Sequence, residues 1–128
     1  MKSRFFAVAL LFAVIGFGSC KDDKSDKCDI DNITVTSSVS TNPDRAFNGS
    51  VSWVSNATSR TWTGTYTHND DVSFSLDVKV SSKAKITSPA NPATARTYLG
   101  NGETFEVEAE NGDTKDWTIK MVKNIPED

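Results

Sequence analysis

The feature that most constrains this chain is a period of two in its apolar residues. Val72, Phe74, Leu76, Val78 and Val80 alternate with Ser73, Ser75, Asp77 and Lys79. Successive side chains of a β-strand point to opposite faces, so this pattern predicts a strand with one buried face. The same period runs through Phe105, Val107 and Ala109, and through Trp117, Ile119 and Met121. It returns at Ile33 and Val35, and at Phe47, Gly49, Val51 and Trp53. In residues 61–68 every odd position is Thr, while Trp62, Gly64, Tyr66 and His68 share the other side. A shorter piece covers residues 84–87, and no stretch carries a helical stripe. Turn-rich clusters separate the runs, and Asn111-Gly112 between two of them is a hairpin signal. Strands with one apolar face each need a second sheet to cover that face. The expected fold is all-β: an immunoglobulin-like antiparallel β-sandwich of about seven strands over residues 30–128.

The first 29 residues read differently. Lys2 and Arg4 precede an uncharged apolar run of 14, residues 5–18. A spanning helix needs about 20 such residues, so residues 1–19 read as a cleaved signal peptide. Its removal leaves 12 basic against 17 acidic groups, taking the net charge from −3 to −5. That sign argues against a nucleic-acid partner, whose phosphates call for basic side chains. Gly18-Ser19-Cys20 resembles the lipobox of bacterial lipoproteins, which implies acylation of the Cys20 thiol and attachment to a membrane through N-terminal acyl chains. Lys21, Asp22 and Asp23 resemble the export signal of Bacteroidetes surface lipoproteins, which implies the outer face of the outer membrane. Residues 20–29 have no apolar periodicity and read as a charged, flexible tether. With Cys20 acylated, Cys28 has no disulfide partner in the chain.

A wider resemblance lies in residues 72–89 (VSFSLDVKVSSKAKITSP) and 103–122 (ETFEVEAENGDTKDWTIKMV). They are similar to small immunoglobulin-like domains of Bacteroidetes surface lipoproteins, including the N-terminal module of lipoproteins assigned to carbohydrate metabolism. The resemblance implies the fold and a setting near glycan-uptake systems. It implies no activity, because the shared residues are strand and turn positions.

Residues suited to a reaction are sparse. His68 is the only imidazole, placed at a strand end beside Asn69, Asp70 and Asp71. Asp70 and Asp71 lack the spaced acids and fixed glycine of a calcium loop. Glu106 and Glu108 share a strand face about 7 Å apart, within range of a glycosidase pair, but alternation alone generates such pairs. No enzyme activity, cofactor or metal is expected. Aromatic rings are the candidate binding groups, because sugar C–H faces stack on them. Trp53, Trp62 and Tyr66 fall on two neighbouring strands, and Gly64 between the last two suggests that one ring is exposed. The sequence thus points to a non-enzymatic surface binding module whose partners are a glycan or outer-membrane transport proteins. The alternative is a structural or protein-interaction lipoprotein.

Overall fold

The computed structural model describes residues 24–126. Within them the chain forms seven strands and no helix: β1 (Ile30–Ser40), β2 (Ser52–Asn56), β3 (Thr61–Thr67), β4 (Val72–Val80), β5 (Lys85–Ser88), β6 (Glu103–Glu108) and β7 (Thr114–Asn124). They make a β-sandwich. One sheet pairs β1 with β4; the other runs β2-β3-β7-β6-β5. An isolated bridge from Phe74 to Arg96 extends the smaller sheet on the far side of β4.

The alternating residues do what their period requires. Val72, Phe74 and Leu76 of β4 meet Trp62, Tyr66, Phe105, Val107, Trp117, Ile119 and Met121 of the larger sheet in one buried cluster. Tyr66 and Phe74 touch edge to face across the two sheets, with ring centroids 5.0 Å apart. The Asn111-Gly112 turn joins β6 to β7 as the dipeptide predicts, with Gly112 at φ +98°, where a side chain would be strained.

Two features depart from expectation. The larger sheet is mixed, because β3 runs parallel to β7 from Thr61 beside Thr118 to Thr67 beside Asn124. Hydrophobic period fixes which face of a strand is buried, not which strand lies beside it, so this pairing left no mark in the pattern. The second departure is that residues 25–29 are docked rather than free. Ser25 donates its N–H to Glu110 Oε1 at 3.0 Å and accepts from the Asn111 N–H at 3.0 Å. The Cys28 carbonyl accepts from Trp117 Nε1 at 3.1 Å. Asp29 exchanges hydrogen bonds with Ser81 and pairs with Lys115 at 3.0 Å. The expected flexible tether is therefore, over these five residues, a strap on the β6–β7 turn.

The sandwich consequently has two distinct ends. The strap, the 81–84 loop and the β6–β7 turn share one end. The 41–51 loop, the 68–71 loop and the end of β7 share the other, with the 11-residue β1 between them. At about 3.4 Å per residue, β1 separates the two ends by roughly 34 Å.

Candidate functional site

The residues assigned to lipidation and export, Cys20, Lys21, Asp22 and Asp23, lie outside the described residues. The aromatic candidates lie within them and correct the expectation. Trp62 is 9% exposed and Tyr66 2% exposed, both in the core. Trp53 is half-buried, edge to face with Trp62 at 6.3 Å. The reason is Gly64. A Cβ at that position would stand 2.7 Å from Met121 Sδ, 2.7 Å from Val51 Cγ1 and 3.0 Å from Trp53 Cζ3. The glycine is there because neighbours pack down upon it, not because the face is open. The outward face of β3 carries Thr61, Thr63, Thr65 and Thr67 instead.

The loop end of the sandwich holds a more organised group of side chains. Asn42, Pro43, Asp44 and Arg45 form a turn closed by the Arg45 N–H on the Asn42 carbonyl at 3.0 Å. Asn42 Oδ1 accepts from the Asp44 N–H at 2.9 Å, the local bond that favours Asn at turn starts. Ser40 Oγ accepts from the Asn42 N–H at 3.2 Å, and the Thr41 N–H reaches the Asp71 carbonyl at 2.9 Å. The Arg45 guanidinium holds Asp70 through two oxygens, at 2.9 and 3.3 Å. That pairing holds the Asp70 carboxyl below its usual range and raises Arg45.

His68 locks the turn from behind. Its Nε2 lies 3.0 Å from the Arg45 carbonyl, which can only accept, so the proton is assigned to Nε2. Phe47 packs edge to face on His68, Tyr66 and Phe74. At its strand end the His68 side chain is only 13% exposed.

Ser40, His68 and Asp70 look like the members of a nucleophile–base–carboxylate set. Their geometry is not one. Ser40 Oγ at 3.3 Å and Asp70 Oδ2 at 4.0 Å both face Nε2, the nitrogen already donating to Arg45. A relay needs the nucleophile on one ring nitrogen and the carboxylate on the other. Glu106 and Glu108 are also engaged, with Thr87 at 2.5 Å and Lys85 at 3.7 Å.

Two hollows accompany these ends. The one along the strap measures about 410 Å³ and is lined by residues 26–29 and 113–115. It is the seam of the docked strap. Cys28, 1% exposed, closes its inner side, and burial pushes its thiol upward in pKa. The other measures about 260 Å³ and lies between the last residues of β1 and the Asn42–Arg45 turn, with Phe47 beneath. Nothing in the sequence singled it out, because it is made of a strand end and a turn that only the fold brings together. Among the described residues no group of His, Cys, Asp and Glu side chains forms a metal site.

No family model matches the chain, and no curated protein does. Solved structures that share its fold include two Bacteroides proteins. The crystal structure of a "putative glycoside hydrolase" from Bacteroides thetaiotaomicron matches with a TM-score of 0.58 at 17% identity over 83% of this chain. This chain spans only 28% of that protein's length. The crystal structure of a "putative secreted protein" from Bacteroides fragilis matches with a TM-score of 0.55 at 14% identity, covering 77% of this chain and 97% of that one. At these identities the likeness is one of fold.

Proposed function

We propose that this chain is a lipid-anchored, surface-exposed, non-enzymatic binding module. Its finer role is that of an accessory glycan-binding protein of an outer-membrane uptake system. The observation that carries the reading is the docking of residues 25–29 at one end of the sandwich. An acyl group on Cys20 would hold that end near the membrane and present the organised loop end outward. The likeness to a secreted Bacteroides protein, and to part of a Bacteroides protein described as a glycoside hydrolase, fits this setting. The misdirected Ser40–His68–Asp70 geometry favours binding over catalysis.

A second reading, a protein-interaction module, draws on β2. This edge strand has no charge and no proline, and Val54 at its centre is 70% exposed. The other free edges carry the usual defences against strand addition: register shifts in β1 and β5, and a lysine in β5.

Metabolic labelling with a radioactive fatty acid tests the anchor. The wild type should label and the Cys20→Ala variant should not, the variant accumulating as unacylated precursor. Label in the variant, or none in the wild type, removes the anchored reading. Replacing Asp22 and Asp23 with Ala should render the protein protease-resistant in intact cells. Unchanged digestion would remove the surface claim alone.

A further inference from the structure

We infer that the 260 Å³ hollow beside the Asn42–Arg45 turn binds a single neutral pyranose residue. This rests on the glycan-binding reading and gives it a site that the aromatic candidates do not supply. The lining is of two kinds. Val39, Pro43, Ala46 and Phe47 give an apolar side, with Val39 65% exposed. Ser38, Ser40 and Asn42 give a polar rim.

Ser40 Oγ is already engaged by His68 and by the Asn42 N–H. The Ser38 hydroxyl and the Asn42 side-chain NH₂ make no hydrogen bond among the described residues, so a donor–acceptor and a pair of donors remain open to a ligand. An apolar plug would leave both unpaired, whereas sugar hydroxyls would satisfy them while the C–H face of the ring covers the apolar side. Ligand pockets for drug-sized molecules run from about 300 Å³ upward, so this hollow suits one ring rather than a longer segment.

The one cation of the turn, Arg45, is spent on Asp70 at 2.9 Å, which favours a neutral ligand over an anionic one. The site is also built in advance. The Asn42–Arg45 turn is held by its own backbone bond, by Asp70 and by His68. A ligand therefore binds without ordering a loop, which is the main saving available to a shallow site. Affinity for one ring should fall in the millimolar range, with surface density supplying avidity.

The test uses the full-length acylated protein in detergent micelles, run on native gels cast with dextran, mannan or xylan. At least one polysaccharide should retard the wild type. Val39→Asp and Ala46→Leu, both at exposed positions, should weaken retardation at least tenfold with an unchanged thermal midpoint. Val54→Asp, on β2, should be retarded like wild type. If Val39→Asp and Ala46→Leu are retarded like wild type, the hollow is not the site, although the glycan reading stands. If no polysaccharide retards the wild type, site and glycan reading fall together. Methyl-labelled valine NMR separates the remaining occupant. A Val39 methyl shift with N-acetyl-leucine amide but with none of the methyl glycosides of glucose, mannose or xylose would assign the hollow to an apolar side chain of a partner and overturn the inference.

Discussion

Single residues decide how the aromatic positions are used. Gly64 is the clearest case. Its missing side chain lets Val51, Trp53 and Met121 close over β3, which turns Trp62 and Tyr66 into core. Trp62→Ala should therefore lower stability by about 3–5 kcal/mol, read from urea unfolding, while leaving any glycan retardation of the folded protein intact. Gly64→Ala should cost about 1–3 kcal/mol, because a methyl group has to displace neighbours held at 2.7 Å. An unchanged urea midpoint in either variant would contradict the packing described. The alternation of Trp62, Gly64 and Tyr66 was legible in the sequence, but the meaning of the glycine was not. A glycine in a strand marks either an open face or a close approach, and only neighbours distant in sequence distinguish them. Cys28 presents the same contrast between composition and contact. It lies in the charged run KDDKSDKCD, yet it is 1% exposed, and burial raises its pKa. It should react with a disulfide reagent at least 100-fold more slowly in the native protein than in urea, because the reactive thiolate is both scarce and covered.

At the scale of elements, the strands were legible and their partnerships only in part. Period two marked the long strands, and Asn111-Gly112 fixed one hairpin. The parallel β3–β7 contact, the docked strap and the locked turn arise from backbone and side-chain bonds between segments far apart in the chain, which no local pattern encodes. The locked turn has a pH dependence with a definite sign. Asp70 has its pKa depressed in the folded protein by Arg45. Its contribution is present above the unfolded value, about 3.9, and is lost as pH falls through the lower folded value. Amide exchange at residues 41–47 should therefore rise below about pH 4, ahead of the core strands. Asp70→Asn should show the faster exchange already at neutral pH and lose the acid step. Lys115 behaves oppositely, since Asp29 raises it. Its hold on the strap is full below the unfolded lysine value and is lost as pH rises through the higher folded one.

At the scale of the whole molecule, docking of the strap shortens the connection to the membrane. Ten residues from Cys20 to Asp29 would let the sandwich wander. With Ser25 already fixed on Glu110 and Asn111, five Cα–Cα steps remain between Cys20 and the fold. Fully extended, those steps span at most about 18 Å. Acylation at Cys20 would thus hold the β6–β7 turn within that distance of the headgroups, whereas the Asn42–Arg45 turn lies one β1 length, roughly 34 Å, farther along the sandwich. A fluorophore on Asn111→Cys should be quenched strongly by headgroup-attached quenchers in vesicles carrying the acylated protein, and one on Asp44→Cys only weakly. Both positions are exposed, so neither label disturbs the core. The strap can be loosened without touching either probe: Trp117→Phe removes the bond to the Cys28 carbonyl, and Lys115→Ala removes the pair with Asp29. In the doubly substituted protein the Asn111→Cys signal should fall toward that of Asp44→Cys. Equal quenching at both positions in the acylated, unsubstituted protein would mean that the strap does not orient the domain, whatever the anchor does.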